Sequence, residues 1–445
     1  MAKTKAAPKA KAKAKAPAAA PKAKAKVVAK TRPATRTLRM DLRHDNETTE
    51  VFWSIPGRPP KGKTPKEGEE GFAWSGYFVS SPVIDGLGET IRKHLQALQG
   101  IDWDLNNQAA SADAYGPILA QLISAGQELH GAIFRGDQGD ELSKPRADKF
   151  AAWFTKHVLN APVGAWRIEV IHVKFSKLIT PWALACVPMS KTAVATLDPS
   201  NPDDYGNFWG ARFKLAVRGS ARDMKEEREG RDGRDFRLAC VLELDDFAVT
   251  HIESSGPPGE DMRLRHHIGW DRAGYTALAK RHRSNDLFWY ISLKADVGAF
   301  VLGKEEISPS ALEDNRSLVS DTDRVVLMML DGDAVIRGDR GPDWLKKALE
   351  IGRSGLIAVE ADIRNPQVHH YGWRVLKHVL KSQEPLLDAM AYARRECWPL
   401  GLLYGIYCSP VHAAAAPPPE PTIKMVDKWL ETVRSIELKN AENPS

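Results

Sequence analysis

The sequence predicts an α/β fold built on a mostly parallel sheet. Two observations carry that expectation. Apolar runs of strand length at 213–217, 238–244, 287–293, 325–330 and 356–359 lack the polar alternation of a half-wet strand. Such strands are buried on both faces. Helical stretches such as 271–282 and 342–351 lie between them, and parallel neighbours need crossovers of that kind. Helices are therefore expected on both faces of the sheet. The composition agrees: 445 residues with 43% hydrophobic and 27% charged side chains can build a large core.

Residues 1–37 form a tail of Lys, Ala and Pro with ten lysines and two arginines, and the first acid is Asp41. Such a segment buries little apolar surface and is expected to be disordered. Residues 38–160 read as a β-hairpin followed by helices. Leu38, Met40 and Leu42 alternate with polar residues, and 51–55 and 72–79 are rich in strand formers. A loop of Pro, Gly and Lys at 56–71 joins them. From about Asp85 to His157 the period is helical, with Ile91, Leu95, Leu98, Ile118, Leu119, Leu122, Ile123 and Leu129 as its stripe. Residues 161–412 hold the apolar strands, beginning with 166–173, and a long helix at 367–396. Stretches 226–235 and 254–260 are charged and glycine-bearing, so they read as exposed loops, the first open to proteolysis. Residues 413–445 read as an Ala/Pro linker and an amphipathic helix at 422–438.

The formal net charge of +6 is the sum of two unlike parts. The tail carries +12, which leaves 51 basic against 57 acidic side chains in the body. The tail suits weak, salt-sensitive contact with nucleic acid or another acidic partner. No apolar run reaches membrane-span length and the N-terminus has no apolar signal core. Cys186, Cys240, Cys397 and Cys408 are widely spaced with no CxxC pair, so a reducing, cytoplasmic setting is expected. Phosphate-binding, dinucleotide-binding, zinc-protease and serine-hydrolase motifs are all missing. His266-His267 and His369-His370 are adjacent pairs whose side chains diverge. No cofactor and no metal is expected.

Several pieces together resemble the CHAT family, caspase-like cysteine peptidases of bacteria. Pro399-Leu400-Gly401-Leu402-Leu403-Tyr404-Gly405-Ile406-Tyr407 is similar to that family's closing signature. Thr180-Pro181-Trp182-Ala183-Leu184 resembles an early Pro-Trp step, with Ala183 in place of an acid. Phe208-Trp209-Gly210-Ala211-Arg212-Phe213 resembles the next strand entry. Gly355-Leu356-Ile357-Ala358-Val359-Glu360 resembles a later strand, and Ala391-Tyr392-Ala393-Arg394-Arg395 the end of the long helix. The stretch from Gly126 to Phe134 resembles the helix that precedes the domain. The resemblance covers roughly 120–412 and implies a caspase-like domain over 161–412.

It also implies where chemistry belongs. In that family one strand ends in a Cys-His-Gly step whose His is the base, and another ends in Asn-Ala-Cys, whose Cys is the nucleophile. An imidazole must stand within hydrogen-bond reach of a thiol to make the thiolate. Here Ser292 occupies the His position and Asp331 the Cys position. The expected protein is a pseudopeptidase, a binding or regulatory module that works with another protein, as such domains do in bacterial stress or defence. Ser292 and Lys294 lie on one side of their strand, so Lys294 is expected to reach Asp331. Lys294, Asp331 and Asp333 are alternatively a polar pocket for a cation or a basic side chain, or a solvated loop. Two rival readings stay open. One is an active endopeptidase whose dyad has moved to Cys397 or Cys408 with His369, His370 or His412. The other is a nucleic-acid-associated protein acting through its tail. Cys186 and Cys240 sit in apolar runs and read as inert packing residues.

Overall fold

The structure, a computed structural model, describes residues 36–59, 62–98, 101, 111–174, 180–219, 238–243, 264–268, 287–296, 299–302, 305–307, 325–331, 355–360, 371, 374–375, 378 and 386–408. Most of the tail, the loops 226–235 and 254–260, the helices expected at 271–282, 342–351 and 422–438, the linker, Asp333, His369, His370 and His412 lie outside these residues. The described residues belong to one compact unit.

Among the described residues thirteen strands join in one sheet of a mixed α/β fold. They are β1 (Arg36–His44), β2 (Thr48–Ser54), β3 (Tyr77–Ser80), β4 (Trp166–Lys174), β5 (Lys214–Gly219), β6 (Leu238–Glu243), β7 (Leu264–Ile268), β8 (Leu287–Asp296), β9 (Ala299–Leu302), β10 (Glu305–Ile307), β11 (Val325–Asp331), β12 (Gly355–Val359) and β13 (Tyr404–Cys408). The order is β10-β9-β8-β11-β12-β13-β5-β4-β1-β2-β3, with β6 between β7 and β8 off this path. Most neighbours are parallel. The pairing of β12 with β13 is antiparallel, so β7, β6, β8, β11 and β12 run one way and β13, β5, β4 and β1 the other. β8 is long enough to share one edge end to end. Its Leu287–Ser292 stretch pairs with β6, and Lys294, Ala295 and Asp296 pair with β9.

The alternation read in the first strand is the burial pattern of β1, with Leu38, Met40 and Leu42 fully buried. β1 lies parallel to β4, Leu38 beside Ile168 and Met40 beside Val170. The sheet is therefore continuous across residue 160. β2 and β3 form the expected hairpin around the long 56–71 connection.

Helices α1 (Ser81–Ala97) and α2 (Ala112–Ile133) pack against each other, and α3 (Ser143–Phe154) follows. α1 begins four residues earlier than its apolar stripe suggests. Ser80 caps it by accepting from the Val83 amide at 3.4 Å, and Pro82 stands in its first turn, where a missing N–H costs nothing. Ile84, Ile91 and Leu95 face the core from α1, and Leu119, Leu122, Ile123 and Leu129 from α2. An aromatic layer of Trp53, Phe134, Phe150 and Phe154 closes it, with ring centroids 4.5 Å apart for Trp53 and Phe150. Short helices α4 (Lys191–Ala195) and α5 (Trp209–Arg212) precede β5, and α6 (Leu386–Glu396) lies within the span expected for the long helix. Among the described residues no helix is long and apolar enough to cross a membrane.

Candidate functional site

The sheet places Ser292 and Asp331 on adjacent parallel strands. β8 pairs with β11 so that Met329 stands beside Ser292 and Asp331 beside Lys294. The two positions of the implied dyad thus lie on neighbouring strands, offset by two residues: Asp331 closes β11, and Ser292 lies four residues before the end of β8. On its other edge Ser292 is the register partner of Glu243, the last residue of β6. β6 connects onward to β7 on one side, while β8 connects through its hairpin to β11 on the other. The strand order therefore reverses between β6 and β8. Open α/β sheets bind ligands outside the carboxyl ends of strands at such a reversal.

The same sheet edge carries Glu360, one residue past β12. It is buried, and its amide donates to the Leu403 carbonyl at 2.7 Å. Its carboxylate pairs with the equally buried Arg92 of α1 at 3.3 Å. Sequence reading missed this pair, because no local signal links residues 268 apart.

Segments that carry the family resemblance meet in space. Arg394, at the end of α6, is buried and donates to three backbone carbonyls: Gly401 at 3.2 Å, Gly210 at 3.2 Å and Tyr404 at 2.7 Å. One guanidinium thereby ties α6 to the Trp209–Arg212 turn and to the start of β13. Two glycines make room for it. A Cβ on Gly210 would strike the Arg394 Nη1 and lie 2.9 Å from the Ala183 Cβ, and one on Gly401 would lie 2.7 Å from the Arg394 Cα. Nearby, Gly126 of α2 accepts from the Cys186 amide at 2.9 Å, and Trp209 Nε1 donates to His130 Nδ1 at 3.1 Å. Pieces drawn from 126–130, 183–186, 209–212, 391–395 and 399–404 are thus one packed unit.

A second polar cluster lies at the opposite end of the sheet, where β1 and β4 finish. Trp182 Nε1 donates to His172 Nε2 at 3.1 Å, and His172 Nδ1 lies 3.2 Å from His44 Nε2. His44 Nδ1 then meets Thr49 Oγ1 at 2.8 Å, and Thr49 meets Ser81 Oγ at 2.6 Å. An indole N–H can only donate, which fixes the neutral tautomer of each ring in turn. All five side chains are buried. Burial lowers the His44 imidazole to about 4, against a weaker upward pull from Asp45, and holds His172 well below its ordinary value.

The cysteines fall in two groups. Cys186 is buried, and desolvation pushes its thiol up to about 12, so it is no nucleophile at neutral pH. Cys397 is also buried, just past α6. Cys240 lies within β6 and Cys408 ends β13. The nearby imidazole His378 engages Glu396 at 3.0 Å and stacks on Tyr392. Among the described residues no group of three or more metal-ligating side chains converges. The chain matches no protein-family model and no curated protein sequence.

Proposed function

We propose that this chain is a pseudopeptidase on a caspase-like sheet, related in design to the CHAT family, and that it acts as a protein-binding or regulatory module. The observation that supports the reading is the β8–β11 register. In that register the positions that the resemblance gives to base and nucleophile fall on neighbouring strands, two steps apart, and the residues there are Ser292 and Asp331. The convergence of the resembling segments around Arg394 supports it independently. Neither residue can do the family's chemistry. A carboxylate is a poor stand-in for a thiolate, and a serine hydroxyl without a base stays protonated. With Asp331 the register partner of Lys294, the strand ends carry opposite charges where a thiol and an imidazole would be needed.

The test is a peptide-library cleavage assay on the full chain, repeated after iodoacetamide and with Cys397→Ala and Cys408→Ala. The reading expects no cleavage in any sample. Cleavage that either substitution abolishes would establish the relocated-dyad peptidase instead. The twelve cations of residues 1–37 support a second, sequence-blind contact with polyanions through that segment. Retention on heparin at low salt that survives deletion of those residues would dismiss it.

A further inference from the structure

We propose that the buried chain Trp182–His172–His44–Thr49–Ser81 is an acid-sensitive latch that ties the first turn of α1 to β1, β2 and β4 and lets it go when His44 gains a proton. The inference concerns the end of the sheet away from Asp331 and does not depend on the proposed function. Ser81 opens α1, Thr49 belongs to β2, His44 closes β1 and His172 lies near the end of β4. The Ser81 amide also donates to the Glu47 carbonyl at 3.0 Å, so this turn of helix is held at two points.

The chain has a fixed polarity. Trp182 can only donate, so His172 Nε2 must accept, His172 Nδ1 must donate, and His44 Nε2 must accept. A second proton on His172 sets N–H against the indole N–H. A second proton on His44 sets N–H against the N–H of His172. Shifting the His172 tautomer only moves the conflict to Trp182. No arrangement of the intact chain accommodates the extra proton, so uptake of charge requires a joint to open.

His44 is the ring placed to leave. It ends β1, and the next residue, Asp45, holds the turn by accepting from the amides of Glu47 at 2.9 Å and Thr48 at 2.6 Å. The Asp45 carboxylate favours a charged His44, while the His44 ring disfavours charge on His172. Thr49 and Ser81 bring no charge to the cluster. Asp85 stands one turn into α1, and Arg39, Asp41 and Glu169 alternate onto the other face of the sheet. Once released, His44 regains its ordinary affinity for protons. From about 4 in the closed chain to the ordinary 6.5, opening grows about 30-fold between pH 7.5 and pH 5.

The experiment is hydrogen exchange by mass spectrometry on the full chain at pH 7.5, 6.0 and 5.0, corrected for intrinsic rates. Peptides over 80–90 are expected to exchange about 30-fold faster at pH 5.0 while staying less protected than α3, the mark of a local opening. His44→Gln, neutral at every pH, is expected to reduce that response below threefold, whereas His130→Gln leaves it intact. The control keeps the test decisive if the His44 variant does not fold. The latch is overturned by unchanged exchange over 80–90 in the wild type. It is overturned equally by protection over 80–90 that equals that of α3 at every pH, by a full response in the His44 variant, or by loss of the response in the His130 variant.

Discussion

Replacing Arg394 with Met should cost this protein about 3–5 kcal/mol of stability. Arg394 is 4% exposed, and its guanidinium donates to the carbonyls of Gly401, Gly210 and Tyr404. Net worth is about 1.5–3 kcal/mol for each bond from a charged donor, so three bonds set the upper scale. Desolvating the cation offsets part of it, since removing a buried charge also removes the cost of burying it. Met fills much of the same volume but removes the donor that the three carbonyls share. Lys offers a point charge that cannot fork across three separate carbonyls, so Arg394→Lys should fall between Met and wild type. Gly210→Ala attacks the same contact from the other side, because its Cβ would strike Nη1 and press on Ala183. Its cost should shrink when Arg394 is already Met, a coupling that a double-mutant cycle reads directly. Urea unfolding followed by tryptophan fluorescence gives the ranking through its midpoints. If Arg394→Met lies within about 1 kcal/mol of wild type, Arg394 does not hold these segments together and the reasoning fails.

Three further outcomes follow from the geometry. Glu360→Gln alone should cost about 3–5 kcal/mol by leaving the buried Arg92 without its carboxylate, and adding Arg92→Met should recover most of it; a double variant as weak as the single would contradict this. His130 is held neutral, lowered by burial to about 4, so the unfolded chain binds the extra proton between pH 4 and 6.5. Its contribution is complete above pH 6.5 and lost as pH falls toward 4. Between pH 7.5 and 5.0 the loss from this one ring is about 2 kcal/mol, and denaturant midpoints should show His130→Gln losing that much less than wild type. Gly126→Ala should destabilise by about 2–3 kcal/mol, since the new Cβ would collide with the Leu184 carbonyl oxygen and sit 2.9 Å from the Cys186 Cβ; a neutral effect on thermal unfolding would mean that α2 does not pack there.

Periodicity revealed the sheet better than it revealed the site. β1, β4, β8, β11 and β12 announce themselves as apolar or alternating runs, because burial selects such residues wherever a strand lies under other elements. β7 was hidden by its own composition: Leu264-Arg265-His266-His267-Ile268 reads as a polar surface feature. β9 and β10 are four and three residues long, too short to carry a period. The start of α1 was set by Ser80 and Pro82, local chemistry that an apolar stripe does not contain. Nothing local could show that β1 lies beside β4, since parallel pairing is decided by packing across a whole crossover. The two buried polar clusters were invisible for the same reason. His44 and His172 are 128 residues apart, and a lone histidine in a strand carries no mark of its partner. Ser292 and Asp331, by contrast, were found only by their place in a motif, and the register then set their strands side by side.

The account of a degenerate site rests most directly on the neighbouring positions of Lys294 and Asp331. Register partners on adjacent strands stand about 5 Å apart at Cα, within reach of a disulfide. With the four native cysteines replaced by Ala, Lys294→Cys with Asp331→Cys should cross-link under mild oxidation. Lys294→Cys with Val325→Cys, six residues down the same strand and about 20 Å away, should not. Cross-linking of the distant pair, or none between 294 and 331, would mean that β8 and β11 do not bring these strand ends together, and the pseudopeptidase reading would lose its site.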